Sequence, residues 1–305
     1  MEVAFLLFGK LIPLYLMVAL GFVAGRFLHA SRETVAVLLI YIIGPVVIFH
    51  GAVTTDMTWS LLSFPLILYA VCVTLCGIFY MIGSRIWSDA TKNILAFTAG
   101  SGNTGYFGLP VALALFGEEA LGIMVVGLLG FLLYETTVGF FVVARGHYTV
   151  RESLLKVTRL PTLYGFALGV LLHTLQVPLG EVYQSFALNF RGAYSVLGMM
   201  MVGIGLSGIK SLKIDVPFVA LAFLAKFIAW PTVVLLIVAF DRAVLHLYAP
   251  EVHRVMILLA IVPMAANTVA FASALHAHPD KAATAVFLST IVALFSIPVM
   301  VSVFL

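Results

Sequence analysis

Charged side chains are scarce in this sequence. Asp, Glu, Lys and Arg together form 10% of the 305 residues, whereas hydrophobic residues form 63%. A soluble domain of this length needs many more charges to cover its surface, so a water-soluble fold is excluded. Long apolar runs with few charges are typical of membrane spans, and the mean hydropathy of +1.17 agrees. The sequence therefore predicts an integral membrane protein in a lipid bilayer.

The motifs of common enzyme classes are also missing. The sequence contains no HExxH zinc motif, no GxSxG nucleophile motif and no Walker-type phosphate loop. Cys72 and Cys76 lie four positions apart in one apolar run, without the additional partners that a metal site needs. No basic tail or Lys/Arg cluster indicates a nucleic-acid partner. We expect a protein that is not an enzyme and that uses no cofactor or metal.

Ten apolar stretches are long enough to cross a bilayer as helices, which takes about 20 residues each. They cover residues 4–28, 34–54, 61–83, 91–116, 120–144, 159–177, 186–208, 216–240, 253–277 and 281–304. The polar connection from Arg145 to Arg159 divides them into two halves of five. We predict an all-α membrane fold with a first five-helix repeat at 1–147, a central cytoplasmic loop at 148–158 and a second repeat at 159–305.

Lysine and arginine are distributed unevenly over the predicted loops. One side of the membrane receives three of them, namely Arg191, Arg242 and Arg254. The other side receives eleven, namely Arg26, Arg32, Arg85, Lys92, Arg145, Arg151, Lys156, Arg159, Lys210, Lys213 and Lys281. Because cytoplasmic loops are enriched in Lys and Arg, the central loop is predicted to be cytoplasmic and both termini periplasmic. The expected location is a plasma membrane, namely a bacterial inner membrane.

A short motif recurs in the two halves. The fourth span contains Asn103-Thr104 followed by Phe107, and the ninth contains Asn267-Thr268 followed by Phe271, at the same spacing. An odd number of spans in each half makes the halves insert in opposite orientations. The pattern therefore predicts 5+5 inverted repeats, a design that is common in secondary transporters.

Both motif-bearing spans contain helix-breaking residues. The fourth span holds Gly100, Gly102, Gly105, Gly108 and Pro110, and the ninth holds Pro263 shortly before its Asn-Thr pair. Backbone groups freed by such breaks must find partners in neighbouring helices or line a cavity. Broken helices at equivalent places in two halves indicate a binding site near the bilayer midplane. The alternative is that these residues only satisfy kinked backbone between packed helices.

The residue types at the breaks suit an anionic ligand. The N-terminus of a half-helix presents unpaired N–H groups and a positive dipole end, which bind carboxylates. Asn103 and Asn267 add amide donors, and Thr104 and Thr268 add hydroxyls. Tyr106 is the aromatic residue that we most expect to contact a ligand, with core packing as the alternative.

Two charged residues lie within predicted spans, where such residues are rare and usually functional. Lys226 lies in the eighth span and Glu135 in the fifth. Lys226 could attract an anionic substrate, and Glu135 could carry a coupling proton. The alternatives are a structural ion pair between the two residues, or a side chain that reaches the membrane interface.

The segment Gly102–Pro110, together with Pro263–Thr268, resembles the auxin efflux carrier family, which includes plant auxin exporters and bacterial permeases for malonate and related carboxylates. The resemblance covers essentially the whole chain. It implies a fold similar to those of bile-acid sodium symporters and NhaA-type antiporters. Spans one, two, six and seven would form a scaffold, often dimeric. Spans three to five and eight to ten would form a transport domain, with spans four and nine broken and crossing at the substrate site.

The resemblance implies elevator-type alternating access, in which the transport domain moves against the scaffold. Asn103 and Asn267 take the crossover positions, and Pro110 and Pro263 lie near the breaks. The third span carries no charged residue in its interior. A charged support site in this span, such as the resemblance implies for plant members, is therefore absent, which disfavours auxin itself. We expect a secondary transporter of a small mono- or dicarboxylate such as malonate, malate or an auxin-like acid. The alternative is a membrane-embedded sensor that binds a carboxylate without transporting it.

Coupling to protons, or no coupling, is favoured over sodium. The predicted crossover offers Asn, Thr and Ser oxygens but no carboxylate, whereas a hard cation usually recruits at least one. The partners expected from sequence are the substrate, the bilayer and a second copy of the chain, which would form a homodimer through the scaffold helices.

Overall fold

The computed structural model describes residues 2–54, 59–116, 119–146, 149, 151, 155, 158–208 and 214–304. Every regular element among these residues is helical. We number twelve helices: α1 Glu2–Phe27, α2 Arg32–Thr54, α3 Trp59–Ser84, α4 Thr91–Gly100, α5 Thr104–Phe116, α6 Glu119–Ala144, α7 Pro161–Thr174, α8 Glu181–Ser207, α9 Val216–Leu245, α10 Pro250–Ile261, α11 Asn267–Ala274 and α12 Pro279–Phe304.

The helices coincide with the apolar stretches predicted from sequence, with ends that differ by up to about five residues. α4 and α5 share the fourth stretch and are separated at 101–103, and α10 and α11 share the ninth and are separated at 262–266. Within the described residues, four helical segments are long and apolar enough to span a membrane: Arg32–Thr54, Ser63–Ser84, Val126–Ala144 and Val216–Leu245. A fifth candidate in α12 is bent by 44°. An all-helical membrane protein is thus confirmed, whereas the number of ten spans and their inverted pairing stay predictions.

Several helices contain a π-helical segment, in which the backbone hydrogen bond spans one residue more than in an α-helix. These segments are Leu38–Ile43 in α2, Thr104–Gly108 in α5, Glu135–Gly139 in α6, and Leu224–Ala229 and Asp241–Leu245 in α9. Such segments are rare and are frequent at functional sites. The two intramembrane charges predicted from sequence lie in different π-helical segments, Glu135 in Glu135–Gly139 and Lys226 in Leu224–Ala229.

Small residues let some helices approach closely. α1 packs along α8, where a Cβ on Gly21 or Gly203 would overlap backbone atoms of the facing helix. α7 packs along α2 in the same way, with Gly165 against the Pro45 carbonyl and Gly169 against Ala52 and the Phe49 carbonyl. Glycine at these positions lets two backbones come into contact without a side chain between them, as is common in membrane helix pairs.

Ion pairs join the starts of three helices. Arg32, the first residue of α2, lies 2.7 Å from Asp280 in the first turn of α12. Lys281, the next residue of α12, lies 2.7 Å from Asp215, whose side chain caps α9. In the predicted orientation this face of the bundle is cytoplasmic.

Candidate functional site

The two helix breaks contact each other directly. Between α4 and α5, the backbone N–H of Asn103 donates a hydrogen bond of 2.8 Å to the carbonyl of Pro263 between α10 and α11. The hydroxyl oxygens of Ser101 and Thr268 lie 3.3 Å apart beside this bond, and both side chains are fully buried. The extended backbone segments at the two breaks are therefore joined by a hydrogen bond inside the bundle, where buried backbone polar groups need hydrogen-bond partners.

Side chains from α6 and α9 donate hydrogen bonds to carbonyls at the C-terminal end of α4. The Tyr134 hydroxyl donates to the carbonyls of Ala96 and Phe97, at 3.3 and 3.1 Å. The Trp230 indole N–H donates to the Ala99 carbonyl at 2.7 Å. The last carbonyls of a helix have no partner within the helix, so these donors stabilise the C-terminal end of α4 at the break.

Lys226 lies behind the crossover. Its side chain is fully buried, with Nζ 3.5 Å from the carbonyl of Leu259 in the last turn of α10 and 4.7 Å from the ring centre of Trp230. A Cβ on Gly102 would lie 2.9 Å from the same Nζ. A cation at this place complements the negative dipole end of α10.

Asn267, the first residue of α11, joins three helices. Its amide Nδ2 donates a hydrogen bond of 2.6 Å to Oε2 of Glu135 on α6 and one of 2.7 Å to the hydroxyl of Tyr194 on α8. Glu135 is only 3% exposed. Among the described residues, no Lys, Arg or His nitrogen lies within 4.0 Å of its carboxylate. The pairing with Lys226 considered from sequence is thus not formed in this conformation, because Glu135 contacts Asn267 and Lys226 contacts the end of α10.

A narrow cleft opens beside this cluster. It encloses about 370 Å³ of empty space, counting its open mouth. Its polar lining consists of Glu135, Thr136, Thr162, Tyr194 and Asn267. Its apolar lining consists of Leu39, Ile40, Gly44, Ile48, Leu132, Leu160 and Phe271. The lining residues come from two groups of helices, which we call two walls: α2, α8 and the start of α7 form one wall, and α6 and α11 form the other.

Asn103 occupies the corresponding place at the other break. Its side chain is 2% exposed, its Nδ2 lies 3.8 Å from Sδ of Met199, and its buried Oδ1 has no hydrogen-bond partner among the described residues. Met199 follows Tyr194 by five residues on α8. Both asparagines therefore contact the same helix, although only Asn267 lines the cleft.

The remaining residues predicted from sequence lie around the crossover. Thr104 and Thr268 are buried there and do not line the cleft, and the backbone at Gly105 faces open space. Tyr106 and Pro110 belong to α5, but their side chains lie outside the described part of the structure, as do Lys156, Lys210 and Lys213. Of the predicted site residues, the fold brings Asn267 and Glu135 together at the cleft.

Sequence reasoning missed Tyr194 and Thr162. Tyr194 is one of eleven tyrosines and has no motif around it. Thr162 follows Pro161 at the start of the sixth predicted span, where a proline marks the first turn of a helix. The proline therefore predicts a helix N-terminus at Thr162. The position of Thr162 at the cleft depends on the packing of α7 against α2, which the sequence does not show.

Comparison with known proteins identifies the family of this chain. A family model described as membrane transport protein matches residues 6–153 and 147–301. The chain belongs to this family, the auxin efflux carriers. It is 29% identical over 229 residues to an uncharacterized transporter from Methanocaldococcus jannaschii. The aligned region covers 71% of this chain and 74% of the relative. The family assignment supports a transport protein rather than an enzyme.

Proposed function

We propose that this chain is a secondary transporter that moves a small organic anion, a mono- or dicarboxylate, through the cleft at Asn267. The observation that carries the proposal is the position of Asn267. Its amide lines a cleft at the N-terminal end of α11, where the positive end of the helix dipole favours a carboxylate. Membership of a transport family is the second support.

The two walls of the cleft suit an elevator mechanism. α1, α2, α7 and α8 would form the scaffold, and α3–α6 with α9–α12 would form the moving part, built from inverted repeats. A ligand bound at Asn267, beside its contact with Tyr194 of the scaffold, would then be carried across with α11. Asn103, Thr104, Tyr106 and Thr268 would complete the crossover around it, and the breaks at Gly102, Gly105, Pro110 and Pro263 would position them.

Glu135 would couple anion movement to a proton. A buried carboxylate without a nearby cation is costly in its charged form, and a second anion in the same cleft would repel it. Binding a proton removes both costs. The anion and a proton would therefore bind together and move in the same direction.

Lys226 would assist from behind the crossover. Because charges interact strongly at low dielectric, its ammonium group would attract an anion at the breaks without lining the cleft. We expect Lys226→Ala to weaken anion binding about tenfold in folded protein, equivalent to about 1.4 kcal/mol. Unchanged affinity together with a lower yield of folded protein would instead support a structural role at the end of α10.

The proposed setting is a plasma membrane with both termini periplasmic and a homodimer formed through the scaffold helices. The function is tested by reconstituting the purified protein into liposomes and following labelled malonate, malate and propionate with and without an inward proton gradient. We expect uptake that the gradient accelerates. A protein that binds one of these acids at equilibrium but moves none of them would be a sensor.

A further inference from the structure

Thr162 has a hydroxyl with no assigned role. Its side chain is 4% exposed, and Oγ1 is buried without a hydrogen-bond partner in the described part of the structure. Thr162 nevertheless lines the cleft, on the wall opposite Asn267. Its methyl group lies near Gly44 of α2, where no larger side chain separates α7 from α2. An unpaired buried hydroxyl at a cleft wall is available to a bound ligand.

The start of α7 adds a positive helix end beside Thr162, although the Leu163 N–H already donates to the Leu160 carbonyl at 3.2 Å. The helix has 14 residues, and its N-cap residue is Leu160, whose side chain accepts no capping hydrogen bond. Pro161 at the first helical position has no N–H. Ser, Thr, Asp or Asn is the usual N-cap, and its oxygen covers the free N–H groups of the first turn. Leu160 and Thr162 both line the cleft, so this uncapped, positive end of α7 lies at the cleft wall.

The cleft is therefore bounded by two helix N-termini. Asn267 begins α11 on one wall, and Thr162 lies in the first turn of α7 on the other. Each end combines the positive end of a helix dipole with an uncharged side-chain donor, the Asn267 amide or the Thr162 hydroxyl. Leu39, Ile40 and Ile48 contribute apolar surface to the same cleft. A ligand that matches this pattern has an anionic group at each end and a short apolar spacer.

We propose that Thr162 and the first turn of α7 form a second carboxylate subsite, which binds the far carboxylate of a short dicarboxylate whose other carboxylate binds at Asn267. This assignment rests on the proposed function. Because α7 packs on α2 in the scaffold, the subsite stays behind when the moving part shifts. It sets the preference for two carboxylates over one and must release its ligand before the cleft can move.

The test compares dicarboxylates with a monocarboxylate in Thr162→Val, which keeps the shape of the side chain and removes the hydroxyl. Binding of malonate, succinate and propionate is measured by equilibrium dialysis on the purified protein. We expect Thr162→Val to weaken malonate or succinate by about tenfold and to leave propionate within a factor of about two. Thr162→Ser is expected to restore dicarboxylate binding. Thr174→Val, at the other end of the same helix, serves as the control.

Each outcome bears on a separate claim. If Thr162→Val leaves all three acids unchanged, or weakens propionate as much as the dicarboxylates, the second subsite is wrong while the proposed function stands. If wild-type protein binds none of the acids, both claims fall together. If Thr162→Val does not fold, Thr162→Ser and Thr162→Ala decide, since neither adds bulk to the cleft and only the alanine variant lacks a donor. The alanine variant alone is then expected to lose the preference for dicarboxylates.

Discussion

The amide of Asn267 donates a hydrogen bond of 2.6 Å to the carboxylate of Glu135, between α11 and α6. Asn267, the residue predicted to bind the anion, and Glu135, the residue predicted to carry the proton, therefore lie on the same wall of one cleft. In the proposed mechanism, a proton on Glu135 and an anion at Asn267 would therefore not bind independently. The charge state of Glu135 would change the free energy of anion binding at Asn267, which is the requirement for coupling.

Glu135→Gln tests this coupling. The substitution keeps the shape of the side chain but fixes it in an uncharged form, so we expect anion uptake to continue and to lose its dependence on a proton gradient. The measurement is the initial rate of malonate uptake into liposomes with and without an inward gradient. Glu181→Gln, on the exposed start of α8, is the matched control. A variant that still responds to the gradient as wild type does would remove Glu135 from the proton path.

Tyr194→Phe tests the contact between α8 and Asn267. The variant loses the hydroxyl that lies 2.7 Å from the Asn267 amide and keeps the aromatic ring. We expect the apparent affinity for the anion to fall about fivefold, as the loss of about 1 kcal/mol predicts, with normal folding. Uptake is measured over a range of malonate concentrations. Tyr80→Phe, on exposed surface, should leave KM unchanged, and an equal KM for both variants would argue against a role for Tyr194.

Tyr134→Phe tests the support of the first break. The hydroxyl donates to two carbonyls near the end of α4, so its removal deprives buried acceptors of a donor. We expect a destabilisation of about 1–3 kcal/mol, seen as a lower midpoint of thermal unfolding. Anion affinity of the folded protein should stay near that of wild type, because Tyr134 does not line the cleft. Wild-type thermal stability in this variant would mean that the carbonyls find other donors.

The ion pair between Arg32 and Asp280 offers a test of movement. In the proposed elevator, Arg32 belongs to the scaffold and Asp280 to the moving part, and the two lie 2.7 Å apart in this conformation. We expect a double variant, Arg32→Cys with Asp280→Cys, to lose transport when a short, reducible thiol cross-linker joins the two positions. Reduction should restore transport.

Each single cysteine variant treated with the same reagent is the control for that experiment. Exposed ion pairs contribute only about 0–1 kcal/mol, so the untreated variants should transport at close to the wild-type rate. Normal transport by the cross-linked double variant would show that the two helix starts do not separate during the cycle.

Sequence alone located the helices and the breaks because these depend on local properties. Apolar runs set the spans, and Pro263 with the glycines before Pro110 marked where the helices stop. The Asn-Thr repeat then singled out Asn267 as a candidate. These signals required no knowledge of which helices are neighbours.

Tertiary contacts were beyond that reasoning. An ion pair between Lys226 and Glu135 is one expectation from sequence, because both are intramembrane charges of opposite sign. In the structure, Glu135 accepts a hydrogen bond from Asn267, and Lys226 contacts the carbonyl of Leu259. Helix ends carry partial charges of their own, so a buried cation can be satisfied without a carboxylate. Tyr194 and Thr162 likewise gain their positions only from the packing of α8 and α7, which no local pattern records.

The most direct measurement is the initial rate of malonate uptake by Asn267→Ala in liposomes, compared with wild type and with Asn189→Ala, an exposed asparagine on α8. The loss of a hydrogen bond to a charged ligand, of about 1.5–3 kcal/mol, predicts an uptake rate at limiting malonate at least about tenfold lower in Asn267→Ala. Asn189→Ala should equal wild type. Equal uptake by all three proteins, with malonate moving well, would contradict a substrate site at Asn267.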